Sequence, residues 1–268
     1  MTLSIQKINY HTAEGIEHKQ ALSSLLAREL TCLVIENFVA EDAASATIEG
    51  LEQQQKFVEH ADVPGLKVLG LSHFQAVRNP EIFEKYSHLG SKLETLLQST
   101  CGPSPSPFHC LKSYLRQNLD VPIKNLKLQN ELSLAPFTIR SCGQDIGIEP
   151  HQDVLSAESP LDEFALNVSM QLAINIFLSS TAEGGELEIF DLNPKDTGYI
   201  NLDEGPKTFS EEKLPRESIR VSPKTGDLII FDCTKLHIVR PNKSSSARVT
   251  LACFVAKVNN KETLRYWV

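Results

Sequence analysis

His151 and Asp153 stand two residues apart, His237 follows far along the chain, and Arg248 comes eleven residues after it. Side chains alternate along an extended strand, so His151 and Asp153 project to one face and can hold a single metal ion together. A histidine arriving from elsewhere, His237, completes a set of two imidazoles and one carboxylate. Such a set leaves one side of an octahedron open, which suits non-haem Fe(II) that must take a co-substrate and dioxygen at once. The same three ligands can also hold Zn²⁺ in a hydrolase, and an isolated His-x-Asp is commonly no more than a hydrogen-bonded pair at a strand edge. Arg248 tips the balance. Read alone it is a surface salt bridge, but its strand is otherwise apolar (Val249, Leu251, Ala252, Phe254, Val255), where an uncompensated guanidinium is expensive to bury. The planar fork of arginine binds a carboxylate bidentately and keeps its charge.

The other histidines (His11, His18, His60, His73, His88, His109) have no second ligand at strand or helix spacing and read as surface or core residues. Gly184-Gly185 and Gly226 sit at strand entries and read as turn glycines, with no phosphate-loop context around them. The six cysteines lie scattered without a C-x-x-C pair, so neither a zinc knuckle nor a disulfide framework is expected.

These residues must be positioned by a chain of 268 residues, 41% of them hydrophobic, which is enough to bury a substantial core. A single domain over 1–268 is expected, with a helical support region over 1–130 and the metal-bearing core over 131–260. The formal charge of −8 argues against partners that present phosphates or anionic lipid, so neither nucleic acid nor a membrane is expected. The first residues lack the basic start and apolar core of a signal peptide, which points to the cytoplasm.

Helical spacing of Leu22, Leu25 and Leu26 marks Ala21–Glu29, and Cys32–Phe38 reads as a strand. Ala40–Val58 reads as a helix. Asn79-Pro80-Glu81 opens another, with Ile82, Tyr86, Leu89, Leu93 and Leu96 in one stripe. The Pro/Ser run at 103–107 breaks it before a helix marked by Phe108, Leu111, Leu115 and Leu119.

After Pro122 the texture changes to strands: Ala135–Ser141, Ile148–Leu155, Phe164–Leu178, Glu186–Asp191, Ser218–Val221, Asp227–Phe231, His237–Arg240 and Arg248–Val258. That number suits a mainly β fold, a double-stranded β-helix of jelly-roll or cupin-like form. In the long strand Val168, Met170, Leu172, Ile174 and Ile176 make an apolar face suited to the helices, while Ser169, Gln171, Ala173 and Asn175 face the other way. Two connections, Ser156–Glu163 and Leu192–Glu217, are long for a compact domain and read as lids or excursions. The first leaves the metal strand directly and is the expected closure over a substrate.

In order and spacing, His151-x-Asp153, Gly184-Gly185-Glu186-Leu187, Gly226-Asp227-Leu228-Ile229-Ile230-Phe231, His237 and Arg248-x-Thr250 resemble the motif series of the Fe(II)/2-oxoglutarate-dependent oxygenases, prolyl-hydroxylase-like branch, over residues 132–258. The segment Pro136-Phe137-Thr138-Ile139-Arg140 is similar to the bacterial group that contains the indole-alkaloid halogenases and their hydroxylating relatives. The resemblance implies that His151, Asp153 and His237 are catalytic iron ligands and that Arg248, with Thr250 two residues on, binds the distal carboxylate of 2-oxoglutarate. It further implies consumption of dioxygen, release of succinate and CO₂, and oxidation of an unactivated C–H bond in a small metabolite. Halogenases of this group carry a small residue where the carboxylate would stand, leaving room for chloride; Asp153 fills that place and implies hydroxylation. Thr138, Arg140, Gln171 and Asn175 are the residues expected to face a substrate. A hydroxylase of protein side chains, and a non-catalytic or differently metallated jelly-roll binding protein, remain as alternatives.

Overall fold

The computed structural model describes residues 3–60, 63–73, 76, 80–127, 133–158, 163–193, 209, 212, 214–258 and 263–268. The helices are α1 (Gly15–Leu26), α2 (Glu41–Gln53), α3 (Pro80–Thr100), α4 (Pro107–Asn118), α5 (Leu155–Glu158) and α6 (Glu163–Leu166). The strands are β1 (Ile5–Asn9), β2 (Cys32–Glu36), β3 (Val58–Glu59), β4 (Leu66–Leu69), β5 (Ile123–Asn125), β6 (Thr138–Cys142), β7 (Ile148–His151), β8 (Val168–Ser179), β9 (Leu187–Phe190), β10 (Ser218–Val221), β11 (Leu228–Phe231), β12 (His237–Val239), β13 (Arg248–Val258) and β14 (Leu264–Trp267).

Two sheets face each other in a double-stranded β-helix. The larger runs β1-β2-β11-β8-β13-β6-β4-β3, with β14 and β5 joined through β13; the smaller runs β10-β9-β12-β7. β13 is the hinge of the design. It pairs with β8 along nearly its whole length, with β6 from Arg248 to Ala252, and with β14 from Phe254 to Lys257. Its alternation therefore sends Val249, Leu251, Cys253 and Val255 into the helix-covered core, while Arg248, Thr250, Ala252 and Phe254 turn to the space between the sheets.

β8 sorts its faces in the same way. Met170, Leu172, Ile174, Ile176 and Leu178 are buried with the helices, and α2 packs across them. Ala173 and Phe177 join Val34, Leu187, Ile189, Ile229 and Phe231 between the sheets. Burying each large aliphatic side chain contributes roughly 1.5–3 kcal/mol, and this layer fixes the register on which the cavity depends.

The sequence boundaries shift in three informative places. The strand expected over Ile148–Leu155 ends at His151, and Leu155 already opens α5, with its backbone N–H donating to the Gln171 side chain at 3.0 Å. Phe164–Leu166, expected as strand, falls in α6, and β8 starts only at Val168. Val58 leaves its expected helix for the edge strand β3. Within 1–130 the described residues include α1 to α4 and also β1 to β5, so this region extends the larger sheet as well as covering it. In α3, Tyr86 and Leu93 are buried as the stripe requires, while the side chains of Ile82 and Leu89, and the capping role of Asn79, lie outside the described residues. α4 starts where Ser106 accepts a hydrogen bond from the His109 N–H at 3.3 Å and Pro107 takes a first-turn position.

The connection after Leu192 lies largely outside the described residues, but its described parts have clear positions. Phe209 and Leu214 pack with Leu192 on Phe190, Leu236 and Ile238, and the Phe209 N–H donates to the Pro150 carbonyl at 3.2 Å. Those three buried residues alternate with Ile189 and His237, so these parts cover the outer face of the smaller sheet.

Candidate metal and co-substrate site

β7 and β12 run antiparallel with His151 opposite His237, which brings the two imidazoles to a ring-centroid separation of 4.2 Å. Asp153 lies beyond the end of β7, yet its backbone N–H still donates to the Cys233 carbonyl at 2.9 Å, which keeps it alongside the entry to β12. Its Oδ1 is 3.9 Å from His151 Nε2 and its Oδ2 is 3.4 Å from His237 Nε2. Ligand atoms of all three residues lie within 4.8 Å of one another.

The tautomers are fixed by the backbone. His151 Nδ1 is 2.6 Å from the Glu149 carbonyl and His237 Nδ1 is 2.9 Å from the Lys235 carbonyl. A carbonyl can only accept, so each Nδ1 carries the hydrogen and each Nε2 presents a lone pair toward Asp153. Burial, reinforced by the neighbouring His237, lowers the His151 pKa to about 4, so its ring is neutral at physiological pH. Burial alone would raise the Asp153 carboxyl; the facing His151 and His237 and the Arg140 charge more than offset it and hold its pKa below the ordinary value. Neutral imidazoles and an ionised carboxylate are the forms a divalent metal requires.

Gln152 holds this arrangement from behind. It is buried, and its amide nitrogen donates to the Thr234 carbonyl at 2.8 Å and the Leu192 carbonyl at 3.2 Å. The residue between the two ligands of the first motif is thereby tied to the turn that delivers the third. Lys235, also buried, pairs with Asp191 at 2.5 Å on the same side.

The cleft enclosed by the two sheets spans about 600 Å³ with the solvent at its open mouth included. Arg248 sits at its closed end, 5% exposed. Gly185, with φ of +75°, leaves room for the arginine shaft: a Cβ there would come within 3.1 Å of Arg248 Cδ. The guanidinium lies 5.8 Å from the Phe177 ring centroid and makes one weak contact, Nη2 to Cys142 Sγ at 3.6 Å, while Nε has no partner. A buried guanidinium without a carboxylate is costly. Together with the Thr250 hydroxyl on the same face, it fits the distal carboxylate of 2-oxoglutarate.

Of the residues expected to face a substrate, Arg140 and Asn175 line the cleft. Thr138 and Gln171 are not among its lining residues and direct their polar groups elsewhere. The Thr138 hydroxyl donates to the Leu69 carbonyl at 3.0 Å, and Gln171 secures the start of α5. The physical reason is competition: each is 2% exposed, and a backbone group lies within reach of its side chain. Sequence reasoning missed Gln152 and the apolar lining made by Phe177, Phe231, Phe254 and Val268. Phe177 and Phe254 share parity with Asn175 and with Arg248, so alternation alone could have found them; Gln152 and Val268 gave no such signal.

Comparison with known proteins follows the same lines. Over 111 residues the chain is 27% identical to the L-gamma-glutamyl-L-propargylglycine hydroxylase of Streptantibioticus cattleyicolor; the matched stretch covers 39% of each protein, about two-fifths of the relative's length. Its fold is similar to that of an N-substituted L-amino acid dioxygenase from Burkholderia ambifaria, with a TM-score of 0.61, 17% identity, and 93% and 91% of the two chains covered. It is also similar to HygX from Streptomyces hygroscopicus, solved with nickel, 2-oxoglutarate and hygromycin B, with a TM-score of 0.50, 12% identity, and 90% and 88% coverage. The profile of the carrier-protein-independent halogenase WelO5 matches residues 5–268, so the chain belongs to that family, within the Fe(II)/2-oxoglutarate-dependent oxygenases.

Proposed function

We propose that this protein is a hydroxylase, which uses Fe(II), 2-oxoglutarate and dioxygen to oxidise an unactivated C–H bond of a small metabolite, an amino acid or a natural-product intermediate. The observation that carries this reading is the Asp153 carboxylate, placed against both imidazoles at 3.9 Å and 3.4 Å. A family of halogenases provides the frame, and in this chain a carboxylate stands where chloride would need room. The activities of two similar proteins, a hydroxylase of a γ-glutamyl amino acid and a dioxygenase of N-substituted amino acids, support an amino-acid-like substrate.

His151, Asp153 and His237 would hold the iron, which when loaded with 2-oxoglutarate and dioxygen supplies the oxidising power and yields succinate and CO₂. The chain's own residues do the rest. The Glu149 and Lys235 carbonyls orient the imidazoles. Arg248 and Thr250 set the co-substrate's depth and direction through its distal carboxylate. Phe177, Phe231 and Phe254 give the cleft dry walls, which strengthens these charge interactions and protects the reaction from water. The Asn175 side chain has no hydrogen bond to any described residue and offers an amide to the substrate. α5, held through Gln171, leads directly from the metal strand.

The test is a screen of metabolite pools for stimulated succinate release, followed by mass analysis for a product heavier by one oxygen. Asp153→Ala and Asp153→Gly are expected to lose that product. Retention of normal succinate release and hydroxylation by Asp153→Ala would remove Asp153 from the ligand set, and a chlorinated wild-type product would overturn the hydroxylase reading.

A further inference from the structure

The cleft contains a second arginine besides Arg248. Arg140 lies on β6 opposite Thr250 of β13, in the same-face row next to the one in which Arg248 stands opposite Cys142. Its guanidinium borders the cleft and forms no hydrogen bond or ion pair with any described residue. It is close enough to Asp153 and Arg248 to feel both charges, attracted by the first and repelled by the second.

Exposure separates the two ends of the cleft. Arg248, Thr250 and the His237 side chain are 5%, 3% and 4% exposed, whereas the His151 and Asp153 side chains are 23% and 21% exposed, and Arg140 is half-buried like them. The closed end therefore holds Arg248 and the open end holds Arg140.

Charge gives the same division. Iron(II) and the 2-oxoglutarate dianion cancel, the ligating imidazoles are neutral, and Asp153 offsets one of the two lining arginines. Among these groups and the lining side chains, one positive charge remains. Of the two carboxylates of 2-oxoglutarate, the distal one is matched by Arg248 and Thr250 at the closed end, which leaves Arg140 to face what enters from the open end. A single monoanion matches the remaining charge, and a planar fork matches a carboxylate.

We infer that Arg140 anchors a carboxylate carried by the substrate, which makes the substrate class an N-substituted, amino-acid-like carboxylic acid with an apolar body. The inference rests on the oxygenase reading above. The residual positive charge disfavours a free ammonium, while Phe177, Phe231, Phe254 and Val268 receive apolar surface.

The test uses the intact protein, loaded anaerobically with Fe(II) and 2-oxoglutarate, and isothermal titration with N-acetyl-L-leucine, N-acetyl-L-valine and N-acetyl-L-phenylalanine, each paired with its carboxamide. The wild type is expected to bind at least one carboxylate tenfold or more tighter than the matching carboxamide, on the order expected for a hydrogen-bonded charge pair. Arg140→Gln should abolish that preference while keeping 2-oxoglutarate affinity within about twofold, measured by the metal-to-ligand charge-transfer absorption. Arg140→Lys should restore part of the preference, and wild type against Arg140→Lys still decides the matter if the glutamine variant does not fold. Binding of no carboxylate probe, equal binding of acid and amide by the wild type, or a tenfold loss of 2-oxoglutarate affinity in Arg140→Gln would each overturn the assignment. The last result would give Arg140 to the co-substrate. Failure of the wild type to bind 2-oxoglutarate in the presence of Fe(II) would instead sink the oxygenase reading, and the assignment with it.

Discussion

On the outer face of the smaller sheet, Arg220 and Arg240 converge on one buried carboxylate, Glu188. Arg220 Nη2 donates to it at 2.9 Å, Arg240 Nε and Nη2 at 2.8 Å and 2.7 Å, and the Ser218 hydroxyl takes its other oxygen at 2.5 Å. Between the sheets, Arg248 and Arg140 stand in a cleft where neither has an ion-pair partner among the described residues. The first pair completes itself within the folded chain and holds β9, β10 and β12 together. The second leaves charge unsatisfied, and in a polypeptide that is mostly paired, unsatisfied buried charge marks the place where a ligand belongs. Glu188 and Arg248 are both nearly inaccessible; what separates structural from functional charge here is whether the chain supplies the counter-charge.

The largest expected effect follows from removing the charge at the closed end. Arg248→Met should weaken 2-oxoglutarate binding by about thirtyfold or more, corresponding to roughly 2–5 kcal/mol for the loss of one partner of a buried charge pair, as read by anaerobic titration of the charge-transfer band. An unchanged affinity would break the contrast with Glu188 at once. Glu188→Gln should act in the opposite domain of behaviour, lowering unfolding stability by about 2 kcal/mol in urea while leaving iron and 2-oxoglutarate affinity unaltered.

Arg248→Met in the ligand-free protein should leave stability unchanged or raise it by about 1–3 kcal/mol, because it exchanges an uncompensated guanidinium for an apolar side chain of similar length. Gln152→Ala should cost about tenfold in Fe(II) affinity, since the clamp between the two ligand-bearing segments is lost, and competition with a metal indicator would measure it.

The smallest effect concerns pH. Burial would raise the Glu188 carboxyl, but hydrogen bonds from Ser218, Arg240 and Arg220 hold it below its ordinary value of 4.5. Its contribution is therefore complete above the ordinary value and is lost as pH falls through the lower, folded-state value, where the folded protein at last takes up the proton. The stability gap between wild type and Glu188→Gln should narrow over that acid range and stay constant above it in urea titrations.

Much of the site was legible because it depends on strand periodicity. Arg248 and Thr250 share a face of β13 by alternation, and β13 has the bounds expected of it. His151 and Asp153 converge although the strand ends between them, because the Asp153 backbone continues to pair with Cys233. Thr138 and Gln171 show where periodicity stops being informative: being on a strand near the cleft does not say whether a polar group reaches into it or is satisfied by a neighbouring backbone.

The sequence by itself determined the ligand types, their order, the arginine that follows the second histidine, and the apolar and polar faces of β8, since these depend on local chemistry and a period of two. Only the tertiary structure decided which face became the wall of a cavity, that Gln152 ties the two halves of the metal site together, and that Glu188 satisfies two arginines while Arg140 and Arg248 have no ion-pair partner among the described residues. Those facts are pairings between segments far apart in the chain, and a pairing is a property of distance in the fold that composition and spacing do not contain.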